Sequence, residues 1–234
     1  MAEPLRSLAW VESLDAVTLA LVTGVDVNSQ LRALFGEPAE ERLEMYCDAL
    51  ERSRQWDGGP SRIVVQFAST PGGDVLIEPN GCLMGTYADA MTRDGGAVVA
   101  VSWQDAIGAD RVTFARGGRI VRTFKTRHRD AGGEGQQQPE EANLPWAYSP
   151  RTAMAALFER VATRPLTEEW LLRTPRRTWL ITDPQAEQGD DEADAARFRS
   201  ASSRAGARAP DPLDARPSPA YGWRKRPSRA VRGR

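Results

Sequence analysis

The run from Arg62 to Thr126 constrains this chain more than any other stretch. Val, Ile and Phe cluster in Arg62–Ser69, Asp74–Glu78, Ala97–Trp103, Arg111–Arg116 and Arg119–Phe124. Turn formers stand between them: Pro71-Gly72-Gly73, Pro79-Asn80-Gly81, Asp94-Gly95-Gly96 and Gly117-Gly118. Branched and aromatic side chains suit a pleated surface, and glycine admits the positive φ of tight turns, so the block reads as consecutive strands. Ile63–Phe67 is apolar except at Gln66, and Val98–Val101 is similar, as expected of central strands. Gly117-Gly118 suits a two-residue hairpin turn. A three-residue loop starting at Arg116 would instead pair Phe114 with Ile120, and the sequence leaves both registers open. Thr86–Met91 is expected to form one helical turn.

The flanks read as mixed helix and strand. Leu5, Leu8, Val11 and Leu14 recur at helical spacing, and Val17–Val22 reads as a strand ended by Gly24. Asp26 or Asn28 caps a helix whose apolar face is Leu31, Leu34 and Phe35 and whose stop is Gly36. A further helix is expected from Pro38, with Glu40 and Glu41 at its positive end and Leu43, Tyr46, Cys47 and Leu50 as its buried stripe. Residues 127–143 read as a flexible loop of Gly and Gln. Ser149-Pro150 starts a helix with the stripe Met154, Leu157, Phe158 and Val161. Thr167 caps a shorter one through Leu171, and Thr178–Thr182 adds a last extended segment. The expected fold is α+β: one domain over residues 5–183, a mostly antiparallel sheet of five to six strands with N- and C-terminal helices packed on it.

Charge divides the chain unevenly. Of 31 basic and 32 acidic residues, 11 and 7 fall in residues 185–234, leaving 20 and 25 to the first 184. Large apolar residues nearly vanish beyond Gln185, so 185–234 is expected to be a disordered tail, acidic at Glu187–Asp194 and basic at its end. Trp223, Arg224, Lys225, Arg226 and Arg229 form its binding signal, since aromatics beside a basic run suit stacking and phosphate contact. Arginine supplies all but Lys125 and Lys225 of the basic residues, a composition of GC-rich bacterial coding. No apolar run approaches the roughly 20 residues of a spanning helix, and no signal peptide is visible, so a cytoplasmic location is expected and no membrane contact.

Residues that could carry chemistry are sparse. Gly132–Gly135 lacks the Gly-Lys-Ser/Thr ending of a phosphate loop. His128 is the sole histidine; Arg127 and Arg129 beside it disfavour its charged form, and any Ser–His or Cys–His nucleophile would depend on it. Cys47 and Cys82 make neither a disulfide framework nor a zinc spacing and read as reduced, partly buried thiols. Asp74, Glu78, Asp89, Asp94, Asp105 and Asp110 lie in or beside the strand block, where two could hold magnesium, although aspartate is common in turns for local hydrogen bonding. Glu78 is the best single candidate, closing a strand before Pro79-Asn80-Gly81. No catalytic, cofactor or metal residue is assigned. Trp10, Trp103 and Trp170 read as core; Trp56, Trp146 and Trp223 sit in expected loops, where tryptophan either packs inward or anchors a partner.

Several landmarks together resemble an actinobacterial family of uncharacterised proteins, a domain of unknown function. They are the strand Thr18–Gly24 with the helix Leu31–Gly36, Ile77-Glu78-Pro79-Asn80-Gly81 with Gly85, the strand Gly96–Ser102, the trio Phe114, Gly118 and Phe124, and the helix Ala153–Arg164 followed by Leu166–Leu171. Their order spans about residues 10–172. The resemblance implies an α+β fold and no activity, ligand or catalytic residue. Three functional readings follow, in this order. The first is a non-enzymatic cytoplasmic protein-interaction module, regulatory or toxin-neutralising, that binds through the sheet or loop tryptophans. The second is a nucleic-acid-associated protein using the basic tail. The third is a carboxylate-dependent enzyme centred on Glu78.

Overall fold

Alternation along the strands decides the architecture. The structure is a computed structural model that describes residues 7–55, 62–81, 83–126, 133–147 and 149–182. The predicted tail, His128, Cys82 and Trp56 lie outside the described residues. Strands β1 (Ala16–Thr23), β2 (Glu40–Glu44), β3 (Arg62–Thr70), β4 (Gly73–Glu78), β5 (Ala97–Gln104), β6 (Ala109–Arg116), β7 (Arg119–Lys125), β8 (Glu134–Gly135) and β9 (Arg176–Thr182) form one sheet. Its order is β2-β9-β3-β4-β1-β5-β6-β7-β8, and the pairings are antiparallel throughout. The helices are α1 (Val27–Phe35), α2 (Tyr46–Arg54), α3 (Leu83–Thr86), α4 (Pro150–Ala162) and α5 (Glu168–Leu172).

Successive strand residues point to opposite faces, and here both faces are covered. Val17, Leu19 and Leu21 of β1, Val75 and Ile77 of β4, and Val101 and Trp103 of β5 pack beneath Met154, Leu157 and Phe158 of α4. Ala20 and Val22, Leu76, Val98 and Ala100 turn the other way, against Leu31 and Phe35 of α1 with Met84, Tyr87 and Met91. Local chemistry sets the helix ends. Asp26 Oδ1 accepts the Asn28 N–H at the start of α1, and Gly36, at φ 78°, ends it. Thr167 Oγ1 accepts the Trp170 N–H at the start of α5.

Three expectations are corrected. Among the described residues the sheet has nine strands rather than five or six, because β2, β8 and the full length of β9 join it. The helix expected from Pro38 is instead an edge strand followed by a helix that begins at Tyr46. Leu43 is 76% exposed, Cys47 is exposed rather than partly buried, and Tyr46 and Ala49 carry the buried face. The open edge of β9 has backbone groups to satisfy, and Glu40–Glu44 satisfies them in register with Arg176–Leu180. Arg52 on α2 then joins Glu40 and Glu44 at 3.2 and 2.7 Å, tying strand to helix.

The loop expected over 127–143 is, from Gly133 on, docked on the sheet. Glu134–Gly135 pairs with Arg122 and Thr123 of β7, and a 3-10 turn follows at Pro139–Glu141. Glu141 is fully buried; it accepts from Arg122 Nε and Nη2 and from the Gln138 N–H. An ion pair anchors this segment, which is why its low apolar content misled the sequence reading.

Candidate functional site

Glu78 sits at the end of β4 and is 2% exposed. Its Oε2 accepts the Met84 N–H at 3.2 Å. The turn Pro79-Asn80-Gly81 folds over the carboxylate so closely that a Cβ on Gly81 would stand 1.7 Å from Glu78 Oε1. Thr18 Oγ1 donates to the Gly81 carbonyl at 2.7 Å, and the Tyr46 hydroxyl donates toward the carbonyls of Ala16 and Pro79 at 3.0 and 3.3 Å. Burial raises the Tyr46 pKa far above the ordinary phenol range. A small cavity of about 110 Å3 lies beside this lock, lined by Ser53, Arg62, Val64 and Asn80 as well as Glu78.

Of the aspartates singled out in the sequence, Asp105 and Asp110 line a common cavity, while Asp74 lines another. Asp74 accepts from Ser69 Oγ, Asp94 from Gln30 Nε2 and Asp110 from Thr126 Oγ1. Asp105 is paired with Arg151. Among the described residues no three His, Cys, Asp or Glu side chains gather to hold a metal. A larger cavity of about 340 Å3 is lined by Glu12, Trp103, Gln104, Asp105, Asp110 and Arg151. Its charges act as struts between the N-terminal turn and α4. Arg151 donates to the carbonyls of Glu12 and Leu14, and the Glu12 carboxylate accepts from Ser149 and Thr152.

The β6–β7 hairpin differs from these places. Gly117 and Gly118 have φ of 54° and 76°, the positive pair that a two-residue turn requires. Arg116 therefore stands opposite Arg119, and the three-residue alternative is not adopted. A register shift leaves Val121 unpaired between Ile120 and Arg122, and at the open end Arg111 stands opposite Lys125. Like charges directly opposite destabilise a ladder, yet this hairpin has them at both ends. Arg93 packs beside the turn, its Cγ 3.4 Å from the Cβ position at Gly118.

All five cations are exposed, and among the described residues no hydrogen bond, ion pair or aromatic ring engages their side chains. Every other described arginine has a partner. Examples are Arg32 with Glu37, Arg122 with Glu141, Arg164 over Trp170 and Arg177 over Phe67. Between the two like-charged pairs lie Ile120 and Val121, 41% and 37% exposed, large apolar side chains left in water. The turn tip is held rigidly. The Gly117 N–H donates to the Gly96 carbonyl at 3.1 Å and the Gly118 N–H to Thr92 Oγ1 at 3.0 Å.

The sequence reading gave none of these five cations a binding role. The spacing of Arg111, Arg116, Arg119 and Lys125 around Gly117-Gly118 was visible, but that they lack acidic neighbours is a tertiary fact. The loop tryptophan within the described residues is not available as an anchor. Trp146 is 7% exposed, packs edge-on against Phe124 and donates its indole N–H to the Glu141 carbonyl. Trp103 and Trp170 are buried as expected, and Trp10 is half-buried against the same core. The nucleic-acid candidates Trp223, Arg224, Lys225, Arg226 and Arg229 lie outside the described residues. No helix among the described residues is long and apolar enough to cross a membrane. Compared with protein-family models, with curated proteins and with solved structures, the chain matches none.

Proposed function

We propose that this chain is a non-enzymatic protein-interaction module that works through the edge of its sheet at the β6–β7 hairpin. One observation carries the reading: the described cations without a partner are gathered at this hairpin, around two exposed apolar side chains on a rigid turn. Arginine and exposed apolar groups in one place suit a contact surface, whose centre is apolar and whose rim is polar. The enzyme reading centred on Glu78 has less support, because that carboxylate is engaged by the Met84 N–H and covered by Gly81. The cytoplasmic location and kinship with the actinobacterial family belong to the same proposal.

The test is affinity capture from host lysate with the full-length chain and a 1–184 truncation, each with and without nuclease. The reading expects the same protein on both baits, unaffected by nuclease. Recovery by the full-length chain alone, lost after nuclease, would transfer the function to the basic tail and nucleic acid. No protein above background on either bait would refute the module.

A further inference from the structure

We infer that the partner is a protein whose contact segment is acidic with an apolar centre, seated along the open edge of β7. This rests on the interaction-module reading and adds to it the surface and the chemistry of the ligand. Arg111 and Arg116 are five strand residues apart, about 17 Å at a strand's rise per residue. Their cross-strand mates Lys125 and Arg119 are six residues apart on β7, the extra residue being the unpaired Val121. From the turn onward β7 presents Arg119, then Ile120 and Val121, then the two residues that β8 covers, and at its far end Lys125 opposite Arg111.

Alternation puts Arg111 on the face shared with Thr113 and Ala115, and Arg116 on the face shared with Val112 and Phe114. The cations therefore flank the edge on both faces, and a ligand meeting both pairs must run along the edge from Arg119 and pass over β8, which is seated at Arg122 and Thr123 between them. Of β7, only Arg122 and Thr123 pair with β8. Arg119 and Ile120 are left with no strand beyond them among the described residues, as strand addition requires, while the Val121 carbonyl lies against Gly135. The chain itself supplies a precedent on this edge: its own acidic segment seats Glu134 in the ladder and places Glu141 on Arg122.

Charge alone would equally attract a phosphate backbone, but two features favour protein. β6 is paired with β5 over all its length, Ala109–Arg116 against Ala97–Gln104, so the hairpin is not a free ribbon able to enter a groove. The rings nearest the edge, Phe114, Phe124 and Trp146, are buried and offer no stacking platform for bases. Exposed Ile120 and Val121 add nothing to a phosphate contact, whereas an apolar centre is what a protein interface buries.

The test places a photo-crosslinking amino acid at Val121 of the full-length chain, irradiates it in host lysate and sequences the adduct by mass spectrometry. The expected adduct is a segment of another protein with net negative charge and apolar residues at the crosslink. Its yield should fall about tenfold or more in the Arg116→Glu/Arg119→Glu variant and in the Arg111→Glu/Lys125→Glu variant, since reversed charges repel that segment. These substitutions are at exposed positions, and unchanged circular dichroism and urea midpoint would verify the fold. An adduct with nucleic acid, with a second copy of this chain, or with a neutral or basic segment overturns the inference. So does an equal yield from the reversed-charge variants, or no adduct. If Val121 captures nothing while affinity capture still returns a protein, the module reading stands and the hairpin assignment falls. If neither returns a protein, both fall.

Discussion

Glu141→Gln should destabilise the domain by about 3 kcal/mol, the lower end of what breaking a buried ion pair costs. The number follows from the surroundings. The Glu141 side chain is 0% exposed and that of Arg122 is 7% exposed. The carboxylate accepts from Arg122 Nε at 3.2 Å, from Arg122 Nη2 at 3.3 Å and from the Gln138 N–H at 2.8 Å. Glutamine keeps the shape and one oxygen but turns an amide N–H2 toward a guanidinium that stays charged. Among its other contacts Arg122 keeps the Gly135 carbonyl and the face of Phe124, and neither of these carries a negative charge. For a domain of this size about 3 kcal/mol is a fall of roughly 6–12 °C in Tm. Equilibrium urea unfolding measures it, with the midpoint lowered and the slope unchanged. Arg122→Met combined with Glu141→Leu should recover much of the loss, because both charges are removed together. A Glu141→Gln chain within about 0.5 kcal/mol of wild type, or a double variant that shows no recovery, would refute the claim that this pair holds 133–141 on the sheet.

Two further outcomes are expected. Gly81→Ala should fail to reach the native far-UV spectrum or lose several kcal/mol, since its Cβ would overlap the Glu78 carboxylate at 1.7 Å; a near-wild-type melt would mean the turn relaxes freely. Tyr46→Phe should cost about 1–2 kcal/mol at neutral pH, because two buried carbonyls lose a donor. Burial raises the Tyr46 pKa in the folded state, so the unfolded chain loses this proton first. Stability should therefore fall as pH rises above the ordinary tyrosine value of about 10. The phenylalanine variant should show a shallower decline, and identical alkaline profiles would contradict the assignment.

The local signals of this chain were largely sufficient for its elements. Turn chemistry and branched-residue runs marked β1 and β3 through β7, because a strand between two glycine turns needs no distant partner to be recognised. Asp26, Gly36 and Thr167 marked their helix ends for the same reason: capping is an interaction between residues a few positions apart. Where the reading failed, the deciding interaction was remote in sequence. Glu40–Glu44 has helical spacing and charge, but the open edge of β9 made it a strand. The 133–141 segment has little to bury, yet Glu141 is held by an arginine 19 residues earlier.

Glu78 was legible as a residue set apart, closing a strand before a turn. Its engagement by Met84 and the close cover of Gly81 were not, because they depend on how the chain returns over the strand end. The four cations of the hairpin and Arg93 beside its turn show the same limit. Their positions are written in the sequence, but whether an arginine is free or paired depends on which carboxylates the fold brings within reach. Short-range sterics and hydrogen bonding thus determined where strands, turns and caps form, whereas only the tertiary arrangement decided which charges cancel and which remain exposed for a partner.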